Sequence, residues 1–435
     1  MRSGSKRYKR ILSLILAGLL CFAVSACNGS GKTSESESSS QGLSVGFGKA
    51  DITPYDPVNL GSYGDTATRI SQGYIEPLYA ITVAITDEND ETLLLIVTDL
   101  SWGYYVQTEE VRQIVEKDYG IPGDHVMLGG THNHNAPSYT YKSDMVASYM
   151  NYWKESVKSS IAQALADRKP AKMEIGRTKS EGLNFVRRYW LEDGTILTDK
   201  DNTSKKIVSH ETDPDEEIQM LKFSREGGKD VLIANWQAHC ALQGDTLNAT
   251  SDWVGVFRET VEEELNVNCI YFQGAAGNLN PVSRIKEENR TKIPREHGEL
   301  LASYVINAWQ EAGTFKAIAT GPIQVRKNLY SNLYRDDLDE KTKSIPHELD
   351  TIAFGDASIV TLPTEMFDTS AKQIKDGTPF EMTLIMGYTN GNHSYLPDKE
   401  AFSHGGYETT NTVFKPGAAE EIVDIYLNNL TEMHK

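Results

Sequence analysis

Five apolar runs in this chain each stop at a cluster of polar, chemistry-bearing residues, and that repeated ending constrains the fold more than any other feature. Val126-Met127-Leu128 runs into Gly-Gly-Thr-His-Asn-His, Val231 to Ala234 into Asn-Trp-Gln-Ala-His, and Cys269 to Phe272 into Gln-Gly-Ala-Ala-Gly-Asn. Ile359-Val360 runs into Thr-Leu-Pro-Thr-Glu, and Leu384-Ile385-Met386 into a Gly/Asn-rich loop that ends at Tyr395. Loops held beyond the carboxyl ends of strands are where α/β proteins build their sites. The runs alternate with amphipathic stretches, which predicts an α/β fold: one large domain, residues 43–435, of mixed β-sheets flanked by helices.

Local signals place the elements. Tyr79 to Ile85 and Thr92 to Thr98 flank Asp-Glu-Asn-Asp-Glu and read as a hairpin. Helices are predicted over 108–118, closed by Gly120, and over 144–166, where Met145, Tyr149, Trp153, Val157, Ile161 and Leu165 fall at helical spacing. Ser251 is the expected N-cap of a helix through Leu265, Gly313 is expected to end a helix over 296–312, and a last helix spans about 418–433.

The amino terminus gives an address. Arg2, Lys6, Arg7, Lys9 and Arg10 precede the apolar run Ile11 to Ala23, which is followed by Val24-Ser25-Ala26-Cys27. A basic head, a short hydrophobic stretch and small residues before the cut make a secretory signal over 1–26. Cys27 after Val-Ser-Ala resembles a bacterial lipobox, whose cysteine is lipidated. The run is shorter than the ~20 residues of a spanning helix. Residues 27–42 then form a Ser-rich tether with no means of building a core. The expected location is the extracytoplasmic face of the cell membrane, held by the lipid anchor. Loss of the signal takes the formal charge of −18 to −23, which argues against nucleic acid as a partner. Cys240 and Cys269 remain, either paired or buried and free.

His132-Asn133-His134 comes first among the reactive clusters. Residues two apart on a strand share a face, so both rings are expected to face one cavity. His239 alone reads more readily as a hydrogen-bonded core histidine than as a ligand, and Glu365 alone is ambiguous. Two neutral imidazoles and a carboxylate form a set that zinc uses when it keeps a position open for water. Gly42-Leu43-Ser44-Val45-Gly46 fits Gly-x-Ser-x-Gly but leads into a predicted strand, the wrong context for a nucleophile elbow.

Taken together, the blocks resemble a known family. Gly46 to Pro54, Gly130 to Pro137, Asn184 to Arg188 and the stretch from Asp213-Pro214 are similar in sequence and order to motifs of the neutral/alkaline non-lysosomal ceramidases. So are His239 with Ser251 to Gly255, Gln273 to Pro281, Leu362 to Glu365 and Tyr395 to Tyr407. The resemblance covers about residues 44 to 410 and implies the catalytic-domain fold of that family, without its C-terminal immunoglobulin-like domain. It implies Zn2+ as cofactor, bound by His132, His239, Glu365 and Tyr395. It places His134, Arg187 and Tyr407 around the substrate amide, Arg187 and Tyr407 as donors to the oxyanion and His134 as proton carrier to the leaving amine. Arg188 competes with Arg187 for its role, and Tyr407 also reads as a packed strand aromatic.

At the position of the family's serine this chain has Asn280, which cannot form an acyl-enzyme; it is expected to donate to the oxyanion or to hold the loop. The implied activity is zinc-dependent hydrolysis of an N-acyl amide by activated water, on N-acylsphingosine or a related acyl amide. Two alternatives stand beside it. One is a zinc hydrolase of a non-ceramide envelope or sugar-linked acyl amide or ester. The other is a surface lipoprotein that binds a ligand without turning it over.

Overall fold

The apolar runs are continuous because their strands are covered on both faces. The computed structural model describes residues 42–198, 203–330, 333–339 and 347–435. The signal, Cys27 and nearly all of the tether lie outside the described residues.

Nine strands form the larger sheet: β1 (Ser44–Asp51), β2 (Tyr79–Thr86), β3 (Thr92–Thr98), β4 (Val126–Gly130), β5 (Lys169–Lys179), β6 (Glu217–Arg225), β7 (Val231–Trp236), β8 (Asn268–Gln273) and β9 (Lys316–Ala317). They run in the order β8-β7-β6-β5-β1-β2-β3-β4, with β9 paired to β5. A four-stranded sheet follows, in the order β10 (Ile323–Tyr330), β11 (His347–Phe354), β12 (Ala357–Leu362), β13 (Met382–Gly387).

Alternate residues of these strands enter different cores. Ile81, Val83 and Ile85 of β2 and Val231 and Ile233 of β7 pack against Ile359 and Leu384 of the smaller sheet, so the two sheets face each other. On the outer face, Leu94 and Ile96 meet Val111 and Val115 of helix α1 (Tyr105–Tyr119) and Trp153 and Val157 of helix α2 (Asp144–Ala166). Leu232 and Trp236 meet Trp253 and Phe257 of α3 (Asp252–Leu265) and Leu301 of α4 (Pro294–Gln310). Val360 and Ile385 meet Ile374 of α5 (Asp368–Gly377) and Ile422 and Tyr426 of α6 (Ala418–Met433). The result is helices, sheet, sheet, helices. The predicted mixed α/β class is what the chain adopts.

Within the two large sheets three pairings are parallel, β3 with β4, β7 with β8 and β12 with β13, and the rest are antiparallel. Five of those six strands end in the polar clusters picked out above, and the sixth, β3, ends at Asp99 and Ser101. Parallel pairs need crossover connections, which puts both strands' carboxyl ends on one rim. That is how remote segments meet.

The hairpin stands as expected, with Ala80 opposite Thr98 and Thr86 opposite Thr92. Gly120 closes α1 at φ 71°. Two expectations are corrected. Helix α4 starts earlier, with Pro294 in its first turn, and stops at Gln310, before Gly313. Ser251 precedes α3, but its hydroxyl caps nothing; Thr250 Oγ1 takes the Asp252 N–H and Asp252 Oδ1 the Trp253 N–H. The Ser251 hydroxyl is pressed against Gly255, where a Cβ would lie 1.8 Å away. Cys240 and Cys269 are both free and buried, so the pairing alternative falls. Ser44 of the Gly-x-Ser-x-Gly stretch sits on β1 opposite Thr86, with no elbow. Among the described residues, no helix is long and apolar enough to cross a membrane.

Candidate metal centre

His132 does not sit on a strand. Strand β4 ends at Gly130, and His132 takes a left-handed backbone at φ 58°, a conformation that a residue with a Cβ adopts only under strain. The two imidazoles still converge, with ring centroids 4.8 Å apart, but through this turn and not through strand alternation. Asn133 faces the other way and fixes the turn, donating to the Asp99 carbonyl at 3.0 Å while its Oδ1 accepts the Asn135 N–H at 2.9 Å. Tyr388, Asn390 and Ser394, in the loop after β13, also have positive φ. Strain therefore gathers at this rim.

The remaining groups arrive from three other segments. His239 follows β7, and its ring lies 4.7 Å from that of His132. Glu365 and Tyr395 are opposite each other in a two-residue parallel bridge. Glu365 Oε2 stands 3.5 Å from His132 Nε2 and 3.3 Å from His239 Nε2. Ligands about 2.0–2.1 Å from a tetrahedral zinc stand about 3.3–3.4 Å from one another, so this spacing fits such an ion. Glu365 Oε2 is also buried with no hydrogen-bond partner, a costly state for a carboxylate oxygen that nothing coordinates.

The rings are oriented from behind. His239 Nδ1 lies 2.9 Å from the Leu279 carbonyl and His132 Nδ1 3.4 Å from the Ser101 carbonyl, which assigns the protons to Nδ1 and leaves both Nε2 lone pairs facing Glu365. His134 differs. Its Nε2 is 3.3 Å from His132 Nε2, and the ligand atoms of His132, His134 and His239 all lie within 4.8 Å of one another, but its Nδ1 is buried without a partner. His134 lacks the backing acceptor that ligating histidines normally have, yet its ring stands close enough to the other two for the three imidazoles together to hold a metal ion.

Burial, with Arg187 next, lowers the His239 pKa to about 4, and burial with the His132 and His239 rings lowers that of His134 well below its usual value. Both are neutral at pH 7. Burial, then Glu365, raises the Tyr395 phenol, with Arg187 opposing.

Arg187 and Arg188 part company here. Arg187 Nη1 is 3.1 Å from His239 Nε2, and its guanidinium faces the Tyr395 ring at 5.3 Å. Arg188 is buried away from the rings in pairs with Glu211 and Glu408. Tyr407 opens a short helix, Tyr407–Thr410, with its ring 5.6 Å from that of Tyr395, so it is no strand aromatic. His134, Arg187, His239, Asn280 and Tyr407 line one cavity of about 170 Å³ with Tyr63, Thr198, Ala241 and Glu408. The short strand Leu279–Asn280 pairs with Phe185–Val186, with Asn280 opposite Phe185, and Asn280 lines the same cavity as Arg187.

Four contributors escaped sequence reasoning. Tyr388 stacks on His132 at 4.0 Å, Trp102 meets His132 edge-on at 5.5 Å, Tyr63 meets His134 at 5.1 Å, and Glu408 binds Arg187 at 2.8 Å. Glu408 adjoins Tyr407 in sequence, which is the one signal that pointed to it.

The family model described as neutral/alkaline non-lysosomal ceramidase, N-terminal, matches residues 43–282. No curated protein matches. Among solved structures, the chain is similar to a neutral ceramidase from Pseudomonas aeruginosa, with TM-score 0.74 and 16% identity over 90% of this chain and 74% of that one. A structure titled as a ceramidase complexed with C2 gives TM-score 0.74 and 15% identity over 91% and 75%. At that identity the structures show a shared fold. The family model spans more than half of the chain and includes His132, Arg187, His239 and Asn280, and on that ground the chain belongs to the neutral/alkaline non-lysosomal ceramidase family of amide hydrolases.

Proposed function

We propose that this protein is a zinc-dependent N-acyl amide hydrolase, with zinc held by His132, His239, Glu365 and Tyr395. One observation carries the reading: a buried, unpartnered Glu365 oxygen faces two imidazole nitrogens whose own protons are committed elsewhere. Two neutral nitrogens and a carboxylate match a catalytic zinc set, and the phenol of Tyr395, the bridge partner of Glu365, completes it. Zinc bound there supplies a water deprotonated near neutral pH and a Lewis acid for the amide carbonyl.

The chain's own groups do the rest. Arg187 stays charged despite burial, because Tyr395 and Glu408 beside it raise its pKa well above the ordinary value, and it donates to the carbonyl oxygen as negative charge develops. Tyr407 lines the same cavity and offers a second donor, its hydroxyl. His134, neutral and facing the cavity, takes up the proton that hydrolysis releases and hands it to the leaving amine. Asn280 offers an amide N–H there and no nucleophile, so the acyl group passes directly to water.

The substrate class is an N-acyl amide of the ceramide type, presented from outside the cell to an enzyme anchored through Cys27. A second reading, a short soluble acyl amide, is favoured by the cavity, since about 170 Å³ is below the roughly 300 Å³ at which pockets begin to enclose whole ligands. Metal analysis of the purified protein tests the chemistry. About one zinc per chain is expected, lost in His132→Ala and in His239→Ala, and a zinc-free active wild type would end the proposal. N-acylsphingosine assayed against short N-acyl amino acids then separates the two substrate readings.

A further inference from the structure

Arg187 and Arg188 are neighbours in sequence, yet they hold opposite oxygens of one carboxylate. Glu408 is fully buried; its Oε1 accepts from Arg187 Nε at 2.8 Å and its Oε2 from Arg188 Nη1 at 3.0 Å. Arg188 is closed on every side. It donates from Nη2 to Glu211 Oε1 at 3.0 Å and to the Gly405 carbonyl at 2.8 Å, and its Nε pairs with Glu211 Oε2. Glu211 is braced in turn by His404 Nδ1 at 2.8 Å.

Arg188 is thus a fixed strut and Glu408 a rigid bracket upon it. The bracket grips Arg187 by Nε only, the inner end of the guanidinium. The outer end, Nη1, is left to face His239 Nε2 at 3.1 Å. A guanidinium held by one edge presents the other at a fixed angle. Buried ion pairs add little stability over apolar packing of the same volume, so orienting Arg187 is the contribution this one can make that packing cannot.

We infer that Glu408 is a positioning residue for Arg187, setting the angle at which its outer nitrogens meet the carbonyl of the substrate or the carboxylate of the acid product. The inference rests on the proposed reading of Arg187 as the carbonyl contact. It also explains why consecutive arginines occur here: one is the support and the other the tool.

The test is a double-mutant cycle of Glu408→Gln and Arg187→Ala in the zinc-loaded protein. It reads kcat and KM on N-hexanoylsphingosine, acetate affinity by calorimetry, zinc content and Tm. Misplacement of a binding group by about 1 Å costs up to about 100-fold. Glu408→Gln should therefore lower kcat between 10- and 100-fold and weaken acetate binding, with zinc content unchanged. In the Arg187→Ala background the same change should have no further effect on either quantity. Additive losses would overturn the inference while leaving Arg187 in its role. If Arg187→Ala alone alters neither kcat nor acetate affinity, the reading of Arg187 fails first, and the inference with it. Should Glu408→Gln not fold, Glu408→Asp, which keeps the charge but shortens the reach, replaces it in the cycle with the same expectations.

Discussion

Glu365 and Tyr395 are direct partners in a parallel bridge only two residues long, and the backbone of Gly277 closes its outer edge by donating to the Met366 carbonyl at 3.0 Å. Two groups proposed to bind zinc are thereby held in register by main-chain pairing rather than by their side chains. A third segment, from the loop after β8, presses against that bridge.

That contact leaves no room at Gly277. A Cβ there would stand 2.2 Å from the Glu365 carbonyl oxygen, a backbone atom that cannot swing aside. Gly277→Ala is expected to shift Glu365, reduce zinc content well below one per chain and lower Tm. A variant with full zinc and wild-type Tm would show that the bridge gives way at no cost.

Asp99, at the end of β3, is tied to α3 from inside the protein. Arg258 Nη1 and Nη2 bind its two oxygens at 2.7 and 2.5 Å, and the Tyr79 N–H reaches Oδ2 at 2.8 Å. Removing one partner of a buried pair strands the other charge, at a cost of about 3–5 kcal/mol. Asp99→Asn should show a loss of that order in denaturant unfolding. Glu299→Gln, which breaks an exposed pair with Arg295, is expected to change stability by less than about 0.5 kcal/mol.

His297 sits behind α3 with its Nδ1 2.9 Å from Thr291 Oγ1 and its Nε2 buried without a partner. Burial lowers its pKa from 6.5 to about 3. The unfolded chain therefore binds a proton that the folded one refuses between about pH 6.5 and pH 3, and stability falls as pH falls through that window. His297→Phe should flatten the acid limb of a Tm-against-pH curve. An unchanged slope would mean that His297 is not buried as a neutral ring.

Asn280 lines the cavity, at the position where the resemblance to the family implies a serine. No acyl-enzyme is expected in the wild type under rapid-quench mass spectrometry with a slow acyl amide. Asn280→Ser restores a hydroxyl there, and a covalent adduct confined to that variant would show that the natural site works without one. An adduct on wild-type protein would require a nucleophile elsewhere.

Much of this was legible in the sequence because it is local. The residues 144–166 repeat apolar side chains at helical spacing, and α2 has those bounds. Short apolar runs pointed to strands, as β3 and β7 are. The clusters after them held His132, His239 and Glu365, since a loop's chemistry is written in its own residues. Other features depend on what lies across space. Nothing in Arg187-Arg188 says which one faces the site; Glu211, over twenty positions away, claims Arg188 and so decides it. Ser251 looks like a cap until Gly255 packs against its hydroxyl. His132 and His134 look like strand neighbours until the turn at φ 58° replaces the strand. Sequence alone determined the elements and the reactive residue types, because hydrophobic periodicity and loop composition act over a few positions. Only the tertiary structure decided partnership, because burial, charge pairing and backbone strain belong to segments brought together by the parallel strand pairs.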